Sequence, residues 1–301
     1  MCEIWKRRKG FMINSLVNLS GKLPEGLASL YSEVFSVASA LNIDLLVVGA
    51  MARDLILVHG FGARLERGTR DVDFAVQVAD WQSFETLVNA LVAREFIQDP
   101  QRIHRLHRMD QDGLPWEIDL LPFGTIADEN SSIQWPPDGA VVMTVLGFQE
   151  ALTDAIRVQI GSAQNITSVN VASPAGLSLL KLIAWLEREP GIRRKDALDL
   201  DYLMKTYSKI PVVLSALYDD GQMEAQEWDE VKASAMKLGQ DAAKIAEPNT
   251  YDFLVGQLFH DAEKLEALYR EMKPSILYSH YDLSLLKIYA EAFVLENAQN
   301  S

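Results

Sequence analysis

Two aspartates separated by one valine are the residues of this sequence best suited to chemistry. They are Asp71 and Asp73, in the stretch GTRDVDFAVQV. A β-strand points alternate side chains to opposite faces, so both carboxylates share one face and Val72 and Phe74 share the other. Like charges this close need a cation or a general-acid role to be tolerated. Solvated carboxylates at a strand edge are the plainer explanation, but the apolar residues that follow favour a strand inside a sheet, and the pair then suits Mg²⁺.

A third carboxylate lies on a second predicted strand, in the stretch WEIDLLPFG at residues 116–124. Glu117 and Asp119 share the polar face of this strand, and alternation alone does not choose between them. We expect Asp119 to complete the site with Asp71 and Asp73. Three carboxylates on neighbouring strands support two metal ions, which clamp the attacking and leaving oxygens of a phosphoryl transfer.

A candidate phosphate site lies in VVGAMARD, residues 47–54, where a buried strand turns at Gly49 into a helix. Backbone N–H groups and the helix dipole favour phosphate at such a turn. Many buried strands end in glycine, so the pattern is weak when it stands alone. Arg53 and Arg70 are candidates for binding phosphate through paired hydrogen bonds, although Arg53 could equally pair with Asp54.

Two predicted helices between residues 174 and 203 add candidate cations. Lys181 and Arg188 are seven residues apart and so lie on one helical face. A lysine beside apolar residues is as often a surface side chain lying along that face. Asp196 and Asp199 lie on the second helix, where they could pair with Lys181 or Lys195 or form an ordinary salt-bridged helix face.

The elements that must position these residues follow from the hydrophobic pattern. Residues 40–125 predict strand, helix, strand, helix and hairpin, with Asp-Gly between two strand-like runs as the hairpin signal. Further strand-like stretches reach about residue 172, and Ser173 and Pro174 then begin a helix. We therefore expect an α/β (α+β) protein with a mixed sheet, divided into a tail (1–23), a sheet domain (24–170) and a helical domain (171–301).

Composition limits the partners. The chain has 28 basic and 42 acidic side chains, a formal net charge of −14, so it has no diffuse attraction to phosphate backbones. Cys2 is the only cysteine, which excludes a disulfide framework and fits the cytoplasm. No apolar run approaches the roughly 20 residues of a membrane-spanning helix, so no membrane partner is expected. The basic start, MCEIWKRRKG, predicts a solvated tail, and Met12 is an alternative start.

In order and spacing, GA…TRDVDF and EIDLLPFG resemble the DNA polymerase β-like nucleotidyltransferase superfamily. VGAMARDLIL is similar to a turn of the tRNA-terminal nucleotidyltransferases. The resemblance is closest to the AbiEii-like nucleotidyltransferases, known as toxins of type IV toxin–antitoxin pairs. Their later helix pair is present here as KLIAWLEREPGIRRKDALDLDYL, residues 181–203. The resemblance spans about residues 45–203 and implies a polymerase β-like core with a helical C-terminal domain.

This resemblance implies transfer of a nucleoside monophosphate from an NTP to an acceptor, with Mg²⁺ and release of pyrophosphate. Asp119 would act as the base, and Lys181 would steady the triphosphate together with the backbone after Gly49. The implied site residues are Asp71, Asp73 and Asp119 for the metal, Lys181 and Asp196 for catalysis, and Gly49, Ala50, Arg53 and Arg70 for the nucleotide.

Three interpretations of the acceptor remain open. A tRNA end would make the protein a growth-inhibiting toxin with an antitoxin partner. The net charge opposes RNA unless several arginines line one rim. Those arginines are at positions 64, 67, 70, 102, 105 and 108. An acidic cleft would instead favour a small cationic molecule such as an aminoglycoside. Ala50 stands where many relatives carry Ser or a second Gly, which leaves a catalytically silent nucleotide-binding protein as the third interpretation.

Overall fold

A mixed sheet with helices packed around it organises the protein. The computed structural model describes residues 16–110, 113–162, 165–272 and 284–298. The strands within these ranges are β1 Val17–Asn18, β2 Asp44–Val48, β3 Asp71–Gln77, β4 Ile97–Gln98, β5 Arg105–Met109, β6 Pro115–Phe123, β7 Ser132–Gln134, β8 Val142–Thr144, β9 Ile156–Ser162 and β10 Asn165–Val171. Eight of them form one sheet in the order β1-β9-β10-β2-β3-β6-β5-β4, and β7 and β8 form a separate pair.

The centre of the sheet holds the two strands that carry the candidate carboxylates. β3 is antiparallel to β2 and parallel to β6. β5 and β6 are antiparallel neighbours, which confirms the predicted pairing of these two strands; Asp112 of the predicted Asp-Gly turn lies outside the described residues. The mixed sheet is therefore also confirmed.

Helices cover this sheet and continue beyond it. They are α1 Glu25–Ala40, α2 Gly49–Arg53, α3 Trp81–Val92, α4 Phe148–Thr153, α5 Pro174–Glu187, α6 Pro190–Thr206, α7 Pro211–Asp219, α8 Gln222–Ala225, α9 Glu230–Ile245, α10 Pro248–Leu254, α11 Ala262–Glu271 and α12 Ser284–Ala298. Wider π-helical turns extend α2 over Asp54–Gly60 and α10 over Val255–Phe259. None of the helices in the described ranges is long and apolar enough to cross a membrane.

Burial explains why β3 has one apolar and one polar face. Val72, Phe74 and Val76 are fully buried, and Phe74 meets the rings of Tyr31 and Phe35 on α1 edge-on, with centroids 5.9 and 6.1 Å apart. α1 therefore covers the apolar face of the strand. The opposite face is left to polar side chains, as strand alternation predicts.

The helical region shares its core with the sheet. One continuous cluster of buried apolar side chains includes Leu46 on β2, Leu177 on α5, Leu203 on α6 and Phe293 on α12. α5 begins as predicted, since the Ser173 side chain accepts a hydrogen bond from the backbone N–H of Gly176 at 3.0 Å. A division near residue 170 remains a proposal about chain organisation.

Candidate active site

Four carboxylates form two rows across β3 and β6. In the register of these parallel strands Asp71 lies opposite Glu117, and Asp73 lies opposite Asp119. Paired residues of neighbouring strands share a face, so all four side chains point to the polar face of the sheet. Strands lie only about 4.8 Å apart, which crowds four negative charges together. We refer to these four residues as the carboxylate grid.

The turn after β2 closes one side of the grid. Val48, the last residue of β2, pairs with Asp73, so Gly49 begins α2 directly beside that aspartate. Gly49 has φ +71°, and a Cβ there would lie 2.0 Å from Oδ2 of Asp73. Only glycine fits this position, because any other side chain would collide with the carboxylate in addition to straining the backbone.

Asp73 is the carboxylate that most lacks compensation. It is half-buried, and among the described residues its side chain accepts no hydrogen bond and forms no ion pair. Burial raises the pKa of Asp73 to about 6; the positive charge of Lys181 opposes this rise, and the negative charge of Asp119 adds to it. A cation bound at this carboxylate would relieve the same unfavourable charge.

Arg105 on β5 already compensates the two carboxylates of β6. Its Nε and Nη2 donate to the two oxygens of Asp119, each at 2.7 Å, and its Nη1 donates to Glu117 at 2.6 Å. Hydrogen bonds to Asp119 are the main cause that raises the pKa of Arg105 above its ordinary value. Sequence reasoning considered Arg105 only as part of a basic rim. The signal that finds it is the hairpin register, which pairs Arg105 with Asp119.

The grid suits a hard cation through its oxygen ligands. Asp71 and Asp73 fit Mg²⁺ best, since neither carboxylate has a partner among the described residues. Asp119 fits only in part, because Arg105 binds both of its oxygens. No group of three His, Cys, Asp or Glu side chains in the described ranges is arranged so that it could hold a metal ion. The donor set therefore provides two open carboxylates and a third that is already paired.

Lys181 on α5 provides the positive charge that acts on Asp73. Its Nζ lies 2.6 Å from Asp199 and 3.2 Å from Asp196, both on α6. Asp196 also accepts a hydrogen bond from Arg188 at 2.6 Å. Burial alone would lower the pKa of Lys181, but Asp199 and Asp196 outweigh it and raise that pKa, so the ammonium stays charged.

Arg53, at the end of α2, extends this ion network through the core. It is buried and donates to Asp54 at 2.8 Å and also to Asp199. Its guanidinium also lies 4.9 Å from the ring centre of Tyr202, whose hydroxyl donates to the carbonyl of Arg64 at 3.0 Å. Arg53 thus joins α2 to α6, and its expected contact with a nucleotide stays a prediction.

Arg70 holds the hairpin that carries Asp119. It stacks 4.2 Å from the ring centre of Trp116, donates to the carbonyls of Pro115 and Leu114 at 3.0 and 3.2 Å, and pairs with Asp110. These contacts fix the entry to β3 against the entry to β6. A phosphate contact by Arg70 is likewise still a prediction.

The arginines expected on one rim are divided among different surroundings. Arg105 lies on the carboxylate grid, whereas Arg108, three residues later on the same strand, lies 3.3 Å from Glu33 of α1 on the apolar side of the sheet. Arg64 and Arg67 are exposed in the loop that leads into β3. This loop therefore offers uncovered positive charge next to β3, and the exposed Lys195 of α6 is a further positive charge that acts on Asp73.

Comparison with known proteins identifies one family. The family model described as "Nucleotidyl transferase AbiEii toxin, Type IV TA system" matches residues 34–282. No curated protein matches the chain.

Several solved structures show low similarity. The antibiotic-resistance factor ANT(2'')-Ia in solution aligns with 13% identity and a TM-score of 0.34, over 67% of this chain and 96% of that one. An antigenic nucleotidyltransferase-like protein from Paracoccidioides brasiliensis aligns with 18% identity and a TM-score of 0.37, over 66% and 91% of the two chains. A Thermotoga maritima CCA-adding enzyme complexed with tRNA aligns with 11% identity and a TM-score of 0.24, over 92% and 82%.

Proposed function

The chain belongs to the AbiEii nucleotidyltransferase family, and we propose that it moves a nucleoside monophosphate from an NTP to an acceptor at the carboxylate grid. One observation carries the location of this site: the register that sets Asp73 beside Asp119 on neighbouring strands. The charged ammonium of Lys181, which acts on Asp73 from α5, gives that site a positive counterpart for phosphates.

Asp71 and Asp73 would hold Mg²⁺, and Asp119 would complete the metal site. The bound ion would neutralise charge that develops on the phosphate oxygens during transfer. Asp119, next to Asp73, would accept the proton of the acceptor hydroxyl. The remaining contribution of the protein would be to position the reacting groups and compensate their charge.

The triphosphate would bind between the sheet and α5. Lys181 and the backbone that follows Gly49 would steady it, with Ala50 at the turn contributing no hydroxyl. Asp196 and Asp199 bind the Lys181 ammonium and keep it charged. We therefore assign Asp196 as a positioning residue that acts through Lys181.

Replacement of Asp73 tests this assignment. We expect Asp73→Asn to lower NTP-dependent labelling of the acceptor about 10²-fold or more, because charge compensation at the phosphates is lost. Asp44→Asn is the matched control, since Asp44 is exposed at the other end of β2 and pairs with Gln77 rather than with the grid. Circular dichroism establishes that both variants are folded. Labelling of the acceptor by Asp73→Asn at the level of the natural protein would refute the assignment of this site.

We propose a tRNA end as the acceptor, with growth inhibition as the result and an antitoxin as the partner. The family description as a toxin and the exposed Arg64 and Arg67 beside β3 support this choice. Free NTPs and tRNA are cytoplasmic, which is where we place the protein.

Incubation with labelled NTPs, Mg²⁺ and total tRNA identifies the acceptor. Label in the tRNA fraction supports the proposal. Label on members of an aminoglycoside panel instead would assign a small-molecule acceptor. NTP binding without transfer to either pool would assign a catalytically silent nucleotide-binding protein.

A further inference from the structure

The third carboxylate of the grid is bound to a cation that belongs to the chain itself. Both oxygens of Asp119 accept hydrogen bonds from Arg105 at 2.7 Å. The two side chains are each 18% exposed, so water screens this pair only in part. Charge-assisted, two-point contacts of this kind are among the strongest in proteins. A metal ion that uses Asp119 as a ligand must therefore compete with a guanidinium.

Glu117 gives the guanidinium a second attachment. It accepts from Nη1 of Arg105 at 2.6 Å, and its side chain is 40% exposed. A guanidinium carries five N–H donors in one plane, so one edge can remain bound while the other is released. Arg105 can thus leave Asp119 without leaving the grid.

The position of Arg105 offsets part of the negative charge of the carboxylate grid. Asp71, Asp73, Glu117 and Asp119 crowd four carboxylates onto one face, and Arg105 is the cation that contacts two of them. Like charges placed this close disfavour the ionised form of each. Arg105 stabilises the two carboxylates of β6, whereas Asp71 and Asp73 on β3 stay open.

We propose that Arg105 competes with the metal ion for Asp119 and withdraws onto Glu117 when a divalent cation binds between Asp73 and Asp119. This inference rests on the proposed function of the same site. Arg105 is then a positioning residue that keeps the affinity of the free protein for metal low. The metal–nucleotide complex, which also gains contacts with Lys181, binds in preference to the free ion.

Titration with Mn²⁺, followed by the electron paramagnetic resonance signal of the free ion, tests this competition without relying on catalysis. We expect Arg105→Gln to bind Mn²⁺ about tenfold more tightly than the natural protein, because two charge-assisted hydrogen bonds no longer oppose the ion. Arg108→Gln is the matched control: it removes the same charge from the same strand on the opposite face, and we expect affinity within about twofold of the natural value. Arg105→Lys keeps the charge without the fork and is expected to lie between.

Thermal unfolding without metal provides the second measurement. We expect Arg105→Gln to unfold at a lower temperature, because the grid loses its internal cation, and Mn²⁺ to recover more of the loss than in Arg108→Gln. If Arg105→Gln does not fold, the comparison of Arg105→Lys with the natural protein carries the test. Equal or weaker Mn²⁺ binding by the folded Arg105 variants would overturn the proposal, and so would absence of Mn²⁺ binding to all of the proteins.

Glu117→Gln, made in the natural and the Arg105→Gln backgrounds, tests the withdrawal step. We expect the substitution to weaken Mn²⁺ binding more in the natural background, where Glu117 also receives Arg105, and so to be non-additive. Additive effects would overturn the role of Glu117. Failure of nucleotide transfer by the natural protein would refute the proposed function, while the order of Mn²⁺ affinities among the variants is read independently.

Discussion

Gly49 limits the space around the site more directly than any other single residue. A Cβ at this position would lie 2.0 Å from Oδ2 of Asp73, whereas Gly62 has a similar φ of +70° and no atom within 4 Å of the same position. We expect Gly62→Ala to lose about 1 kcal/mol of stability through backbone strain alone. Gly49→Ala would pay that strain and also displace Asp73. Its nucleotide transfer, measured with labelled NTP, would fall well below that of Gly62→Ala, and equal activity of the two variants would contradict this account.

For single residues, the sequence predicted which face of a strand a side chain occupies better than which residue of a neighbouring strand it contacts. Alternation placed Asp71 and Asp73 together because it depends only on position within a strand. It left Glu117 and Asp119 equivalent, since their order relative to β3 is a matter of register between strands. The contact of Arg105 with Asp119 is unpredictable for the same reason. It depends on the register between β5 and β6, which the residues next to Arg105 in the sequence do not determine.

Asp199 shows how buried ion pairs join elements that are far apart in the chain. It is 2% exposed and contacts both Arg53 of α2 and Lys181 of α5. We expect Asp199→Ala to lower the free energy of unfolding by about 3–5 kcal/mol, because two cations lose their partner in the core. Asp201→Ala, which breaks the more exposed pair with Lys205 on the same helix, should cost less than about 1 kcal/mol. Urea unfolding of both variants measures the difference, and similar losses would contradict it.

Element types were predictable from periodicity, whereas their ends depended on tertiary contacts. The second helix expected within residues 40–125 is α3, which ends at Val92, because Glu95 adopts a φ of +67° and turns the buried Phe96 into the core. α4 lies where only strand-like stretches were expected, since its six residues are too few to show a helical period.

The continuous core determines how the whole molecule unfolds. Besides the shared apolar cluster, α4 packs so closely on α5 that a Cβ at Gly176 would lie 3.0 Å from the Cα of Ala151. The ion pair between Arg53 on α2 and Asp199 on α6 also connects the residues before position 170 with those after it. We expect one transition in differential scanning calorimetry, with the van't Hoff enthalpy of unfolding equal to the calorimetric enthalpy. Two separate transitions would show that the proposed division near residue 170 separates independent folding units.

The order of strands in the sheet also determines when, during synthesis on the ribosome, the active enzyme can form. β2 needs β10 as its neighbour, so the sheet stays incomplete until residues 165–171 have been made. Lys181 and Asp199 follow later still. At about 5–20 residues per second, synthesis from Asp73 to Lys181 lasts roughly 5–20 s. Until Lys181 is made, the nascent chain carries Asp71 and Asp73 without the lysine whose charge acts on Asp73, so we expect a product truncated before α5 to lack nucleotide transfer.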